Sequence, residues 1–182
     1  MRIISGKLKA RRFSVPKNFP SRPTTDFAKE GLFNILEHQI DLFDLHILDL
    51  CAGTGNISFE LISRESGFVT AVDINLNCLR FIRKNAEEMQ IQDEIRTVRM
   101  DILHFLRITE DSYDLIFADP PYAYKHHAEL ANSVFERQLL NPGGILVIEH
   151  GKETRLEHIT QFDFMRNYGN VYFSFFRNDK KG

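Results

Sequence analysis

Apolar positions along the chain fall into short runs separated by segments of helical spacing. The runs Ile47–Cys51, Phe68–Val72, Ile95–Met100, Tyr113–Ala118 and Ile145–Glu149 predict strands. Between and after them, Ile57–Arg64, Leu76–Met89, Leu103–Leu106, His127–Leu140 and Leu156–Thr160 predict helices; Leu79, Ile82, Ala86 and Met89 share one face of the second. Asn141-Pro142-Gly143-Gly144 predicts a turn. Phe162–Tyr168 and Val171–Arg177 straddle Gly169-Asn170 and predict a hairpin, with Phe173, Phe175 and Phe176 in the core. A first helix is expected from Thr25, which can cap it. Asp26 in its first turn suits the helix dipole, and Phe27, Leu32, Phe33, Leu36 and Ile40 form its apolar face. Upstream, Arg2-Ile3-Ile4, Leu8 and Phe13-Ser14-Val15 around Gly6-Lys7 predict a β-hairpin over residues 1–15, and Pro16–Pro23 a linker. Strand–helix alternation implies an α/β domain: a mostly parallel seven-stranded sheet with helices on both faces and one antiparallel strand from the terminal hairpin.

The run Tyr113–Ala118 ends abruptly in Asp119-Pro120-Pro121-Tyr122. Proline fixes φ and donates no backbone hydrogen bond, and it pushes the preceding residue to extended geometry. The strand must therefore stop in a stiff corner that presents a carboxylate, free carbonyls and an aromatic face. In open α/β sheets ligands bind at that edge. A flat nitrogenous ring bearing an NH2 group suits it, stacked on Tyr122 with the amine donating to Asp119 and a proline carbonyl.

A second motif, Asp49-Leu50-Cys51-Ala52-Gly53-Thr54-Gly55-Asn56, follows the first core strand. Its glycines allow close approach of a ligand to the backbone. Asp73, 18 residues beyond Gly55, ends the next strand and can accept both hydroxyls of a ribose. Asp101 ends the third, where it can meet an adenine amine. Dinucleotide binding calls for a third glycine where Ser58 stands, and Asp49 would repel a diphosphate but attract an ammonium. S-adenosylmethionine carries an ammonium, a ribose and an adenine and no phosphate. The candidate cofactor-binding residues are thus Asp49, Ala52, Gly53, Thr54, Gly55, Asp73, Ile74, Asp101 and Ile102.

Charge adds a partner. Net charge is −2, but residues 1–25 hold seven basic residues and no acid, which leaves 16 basic against 25 acidic residues in the body. A basic arm on an acidic body points to a polyanion. Two cysteines supply neither a disulfide framework nor a zinc set, and no metal is expected. No apolar run reaches the ~18 residues of a membrane span, and no signal core opens the chain, so a reducing cytoplasm is expected.

The glycine turn and the Asp119–Tyr122 corner, about seventy residues apart, together resemble the N-methyltransferases that modify exocyclic amines of nucleic-acid bases. A narrower resemblance spans most of the chain. Arg2-Ile3-Ile4-Ser5-Gly6-Lys7, Arg22-Pro23-Thr24-Thr25-Asp26 and Leu32-Phe33-Asn34 resemble the bacterial 16S ribosomal RNA guanine-N2 methyltransferases of the small subunit. This implies the Rossmann-like class I methyltransferase fold over 24–182 and an RNA-contacting hairpin and linker over 1–23. It implies action on 16S rRNA or the small subunit, with Asp119, Pro120, Pro121 and Tyr122 holding the guanine; a monomer is expected separately, because the sequence offers no obvious interface. Arg2, Lys7, Lys9, Arg11, Arg12, Arg22, Thr24 and Thr25 are the candidate RNA contacts. Cys51 and Asn56 depart from the family pattern without removing a group the chemistry needs.

Alternatives remain open on the residues alone. A DNA adenine or cytosine N-methyltransferase uses similar corners, but this chain has no spare stretch for a target-recognition domain. An NAD-dependent oxidoreductase is opposed by Ser58 and Asp49. A non-catalytic RNA-binding module is opposed by the intact acids. Cys51 reads as a packed thiol rather than a nucleophile. His126 and His127 read as solvated loop residues in preference to a phosphate contact or a lid, and Tyr124 and Lys125 either as a base stack and phosphate contact or as plain loop surface.

Overall fold

The computed structural model describes residues 1–20 and 24–178. Arg22 and Pro23 therefore lie outside the described residues. The elements are α1 (Asp26–Gln39), β1 (Leu45–Leu50), α2 (Asn56–Ser63), β2 (Gly67–Asp73), α3 (Leu76–Glu88), β3 (Ile95–Arg99), α4 (Ile102–Ile108), β4 (Tyr113–Ala118), α5 (His127–Glu136), β5 (Leu140–His150), β6 (Phe162–Tyr168) and β7 (Val171–Arg177). One seven-stranded sheet runs in the order β3-β2-β1-β4-β5-β7-β6. All pairings from β3 to β5 are parallel, and β7 runs antiparallel to both neighbours. The chain leaves β1 toward β2 and leaves β4 toward β5. Connections thus diverge between two adjacent strands, which opens a crevice at their carboxyl ends.

The period of two along each strand splits the core into two layers. Ile47, Val69, Leu115, Phe117, Val147 and Phe175 face α1, α2 and α3, where they meet Leu32, Phe33, Phe59, Ile62 and Ile82. Leu48, Leu50, Val72, Ile116, Ile148 and Phe176 face α4 and α5, where they meet Phe105, Leu106, Leu130 and Val134. Among the described residues no helix is long and apolar enough to cross a membrane.

Several expected elements are corrected. The predicted turn Asn141–Gly144 is absorbed into β5. Opposite β4 the register jumps from Tyr113↔Leu140 to Leu115↔Ile145, so the extra residues loop out while pairing continues. The helix expected to run to Leu140 stops at Glu136, because Gln138 takes φ 54° and Leu139 N donates back to the Val134 carbonyl, which closes the helix end. Leu156–Thr160 forms turns, not a helix. On α1, Thr25 does cap the helix by accepting from the Ala28 amide at 3.2 Å, and Leu32, Phe33 and Leu36 are buried. Phe27, however, is 67 % exposed, and meets Tyr168 edge-on.

The N-terminal arm is a hairpin by its backbone hydrogen bonds, but forms only one β-bridge, Arg2↔Arg12. Its order comes from docking on α2. The amides of Ile4 and Ser5 donate to the two carboxylate oxygens of Glu60, at 2.8 and 3.0 Å. Leu8 N donates to Ser63 Oγ, which donates in turn to the Ser5 carbonyl. Ile3 and Phe13 enter the first core layer, with Phe13 stacked on Phe59. Glu60 is buried and paired with the buried Lys29 at 3.2 Å. Lys29 also donates to the Arg2 carbonyl and to Asn56 Oδ1. Burial lowers the lysine pKa and the Glu60 charge opposes that shift. A buried charge needs such partners.

Candidate active site

The carboxyl end of β1 turns sharply into α2. Cys51, Gly53 and Gly55 all take positive φ, at 61°, 54° and 73°. Gly55 caps α2 without a side chain, and a Cβ there would lie 2.9 Å from Ile82 Cγ1. Only glycine satisfies both the backbone and the packing at that point. Asp73, at the end of β2, braces the turn. Its Oδ2 accepts from Gly53 N at 2.9 Å and its Oδ1 from Asn75 N at 2.7 Å. Each carboxylate oxygen keeps a further lone pair for a ligand hydroxyl.

Asp49 lies beneath the turn and is 1 % exposed. Ser58, the residue in place of a third glycine, donates its hydroxyl to Asp49 Oδ2 at 2.5 Å. Burial pushes the Asp49 carboxyl up to about 7.

The acceptor corner stands beside this turn. Asp119 N donates to the Leu50 carbonyl at 3.1 Å, which ties the end of β4 to the end of β1. Tyr124 N donates to the Pro121 carbonyl and closes the bend. Pro120 is buried, Pro121 is exposed, and Tyr122 is 80 % exposed with its ring face free. Burial, then the Glu149 charge, then that of Asp49, hold the Asp119 carboxyl well above the usual carboxylate range.

A single cleft of about 670 Å³ joins the two motifs. Of the predicted residues, Gly53, Asp73, Ile74, Thr24, Thr25, Asp119, Pro120, Pro121 and Tyr122 line it. Asp49, Ala52, Thr54, Gly55, Asp101 and Ile102 do not. Asp49 is behind the wall for the reason just given, while Ala52, Thr54 and Ile102 are buried. Asp101 caps α4 by accepting from His104 N at 3.0 Å. Arg2, Lys7, Lys9, Arg11 and Arg12 lie on the arm, outside the lining. Arg2 pairs with Asp26 and Lys7 with Glu94; Lys9, Arg11 and Arg12 are exposed and make no ion pair among the described residues.

Glu149 is a site residue that the strand pattern alone did not reveal. It is the last residue but one of β5, lines the cleft, and accepts from Thr24 Oγ1 at 3.0 Å. Burial pushes its carboxyl up to about 7. The available signal was an acid closing the apolar run Ile145–Glu149, as Asp119 follows the run Tyr113–Ala118. Cys51 also lines the cleft, with its thiol pushed up by burial and by Asp73, so it is no thiolate nucleophile. His127 is a correction: it is buried against Tyr124 and His150, and burial lowers its pKa. His126 is exposed and meets Glu129 at 3.0 Å. Tyr124 packs into the second core layer, and its buried phenol oxygen has no partner among the described residues. Among the described residues no group of three or more His, Cys, Asp or Glu could hold a metal.

The family model described as Conserved hypothetical protein 95 matches residues 1–177. The chain belongs to this family, the RsmD-like methyltransferases. It is 35% identical over 83% of its length to the "Ribosomal RNA small subunit methyltransferase D" of Buchnera aphidicola subsp. Acyrthosiphon pisum, covering 78% of that protein. It is 28% identical over 86% of its length to the protein of the same name in Escherichia coli K12, covering 77% of it. Among solved structures it resembles a hypothetical protein of Thermus thermophilus, with TM-score 0.82, 23% identity and 97% and 98% of the two chains covered. It also resembles an RNA methyltransferase of Salinibacter ruber in complex with S-adenosyl-L-homocysteine, with TM-score 0.68, 17% identity and 88% and 96% covered. The two structural likenesses establish the Rossmann-like class I methyltransferase fold.

Proposed function

We propose that this chain transfers the methyl group of S-adenosylmethionine to the exocyclic N2 amine of a guanine in 16S ribosomal RNA. One observation carries the reading: the glycine turn and the double-proline corner, tied by the Asp119–Leu50 bond, open into one cleft. The residues suit that cofactor. Asp73 offers acceptors for ribose hydroxyls beside a glycine turn that admits close approach, and acids rather than cations surround the turn, which suits a ligand without phosphate. When bound, the cofactor supplies a methyl group already activated by the positive sulfonium.

The chain's own residues position the acceptor. A guanine amine is a poor nucleophile because its lone pair is delocalised into the ring. Asp119 and the Pro120 carbonyl accept its two N–H bonds and favour the pyramidal geometry of the transition state. Tyr122 stacks on the base. Fixing the acceptor nitrogen within the cleft, instead of leaving it to diffuse, would supply much of the rate. The proton leaves to Asp119 or to water, and the raised pKa of Asp119 makes it the better base once ionised. Bases in RNA loops are already unstacked, so they cost less to engage than a base in a duplex. The exposed Lys9, Arg11 and Arg12 of the arm are the proposed phosphate contacts, together with Arg2, Lys7 and Arg22.

The test separates binding from chemistry. Asp119→Ala is expected to keep S-adenosylhomocysteine affinity by calorimetry and to lose methyl transfer to small subunits by at least roughly a hundredfold. Retained transfer would overturn the assigned role.

A further inference from the structure

The acceptor corner holds a second carboxylate for which the transfer mechanism has no use. Ala118 and Ile148 are register partners, so Asp119 and Glu149 are the next residues of adjacent parallel strands. By the period of two, Asp119 follows Phe117 and Glu149 follows Val147 onto the same sheet face. Both line the cleft. Tyr122 bridges to the same strand exit, since a Cβ on Gly151 would lie 3.5 Å from its ring. A base stacked on Tyr122 with its amine on Asp119 therefore lies in the cleft that Glu149 also lines, with an acid available to an edge beside the amine.

Base chemistry distinguishes what that edge can be. Adenine, cytosine and guanine all carry an exocyclic amine. In adenine and cytosine the ring nitrogen next to it is a bare acceptor, N1 or N3. In guanine the amine lies between two ring nitrogens, N3, a bare acceptor, and N1–H, a donor, so only guanine can turn a donor edge beside its amine toward an acid. A carboxylate beside the amine-holding acid welcomes guanine and leaves two lone pairs facing each other with the other bases. Thr24 fits this arrangement: its hydroxyl donates to Glu149 Oε2 at 3.0 Å, which works against the burial that raises this carboxyl and leaves the other oxygen available.

We infer that Glu149 is the base-reading residue of this enzyme, accepting the N1–H of the target guanine while Asp119 holds the N2 amine, with Thr24 as its positioning residue. This rests on the guanine-N2 reading above and adds the residue that enforces it.

The experiment uses the full-length protein and a 16S RNA fragment spanning the methylated position, made with guanine, 2-aminopurine or adenine there. 2-Aminopurine keeps the N2 amine and lacks the N1–H. Initial rates of methyl transfer give the guanine to 2-aminopurine ratio. The wild type is expected to prefer guanine by on the order of a hundredfold. Glu149→Gln, whose amide can donate as well as accept, should bring the ratio below about tenfold, and Thr24→Val should give an intermediate ratio. S-adenosylhomocysteine affinity, measured on each variant, reports an intact fold. A Glu149→Gln or Glu149→Ala enzyme that slows on both bases with the ratio unchanged would overturn the inference. A wild type that methylates the adenine fragment and not the guanine one would overturn the guanine reading itself, a result visible before any variant is made.

Discussion

At the scale of single residues, three acids reach the catalytic edge of the sheet from adjacent strands. Asp49, Asp119 and Glu149 follow Ile47, Phe117 and Val147 onto one face; burial raises all three pKa values, and the charges of Glu149 and Asp49 push Asp119 further. The direction fixes how stability depends on pH. Folded Asp49 keeps its proton up to about 7, whereas its ordinary value is 3.8. Between those values the folded state binds more protons than the unfolded one, so stability falls as pH rises from about 4 to about 7 and is flat above. Asp49→Asn removes that loss, worth up to roughly 4 kcal/mol. The variant should therefore gain melting temperature over wild type at pH 8 and gain little at pH 4.5, as read by thermal unfolding; an equal gain at both would contradict the burial account. Asp49 also shows where sequence reading stops at this scale. Its position at a strand end was legible, but not the Ser58 hydroxyl that takes it up, because a helix residue's partner across the turn has no pattern of its own.

At the scale of elements, the arm is held by polar groups rather than by a sheet. α2 is buried along its whole length, yet carries Asn56, Ser58, Glu60 and Ser63. Those side chains serve the arm's backbone, the cofactor turn and, through Asn56 Nδ2 to the Thr24 carbonyl, the segment that touches Glu149. Gly6 is the closest point of that docking. Its φ is +82°, and a Cβ would fall 1.8 Å from the Ser63 carbonyl oxygen. Gly6→Ala is expected to detach the arm. The KM for small subunits should rise by roughly tenfold or more, in keeping with lost phosphate contacts, while S-adenosylhomocysteine affinity stays the same. A cofactor affinity that fell as much as RNA affinity would show that the arm instead braces the turn. The strands were legible because each is an apolar run with a clear stop, and β4, β6 and β7 were predicted to the residue. The misreadings have definite causes. Pro142-Gly143-Gly144 punctuates like a turn, but β4 continues to pair beyond it. Leu156 and Ile159 are buried at helical spacing, yet the segment satisfies its backbone by turns. Phe27 carries the helix period but stands beyond the edge of the core.

At the scale of the whole molecule, one sheet edge gathers the glycine turn, the double-proline corner and Glu149 into one cleft, and a basic arm packs against the first helices. The seven cations of residues 1–25 oppose a body of 16 basic and 25 acidic residues, an asymmetry that under the proposed function would draw RNA toward the arm. The cleft, not the arm, decides the chemistry. The most direct test is nucleoside mass mapping of 16S rRNA from cells lacking this gene, complemented with wild type or with Asp119→Ala. One N2-methylguanosine should be missing from the deletion, restored by the wild type and not by the variant. An unchanged set of N2-methylguanosines in the deletion, or its restoration by Asp119→Ala, would contradict the account.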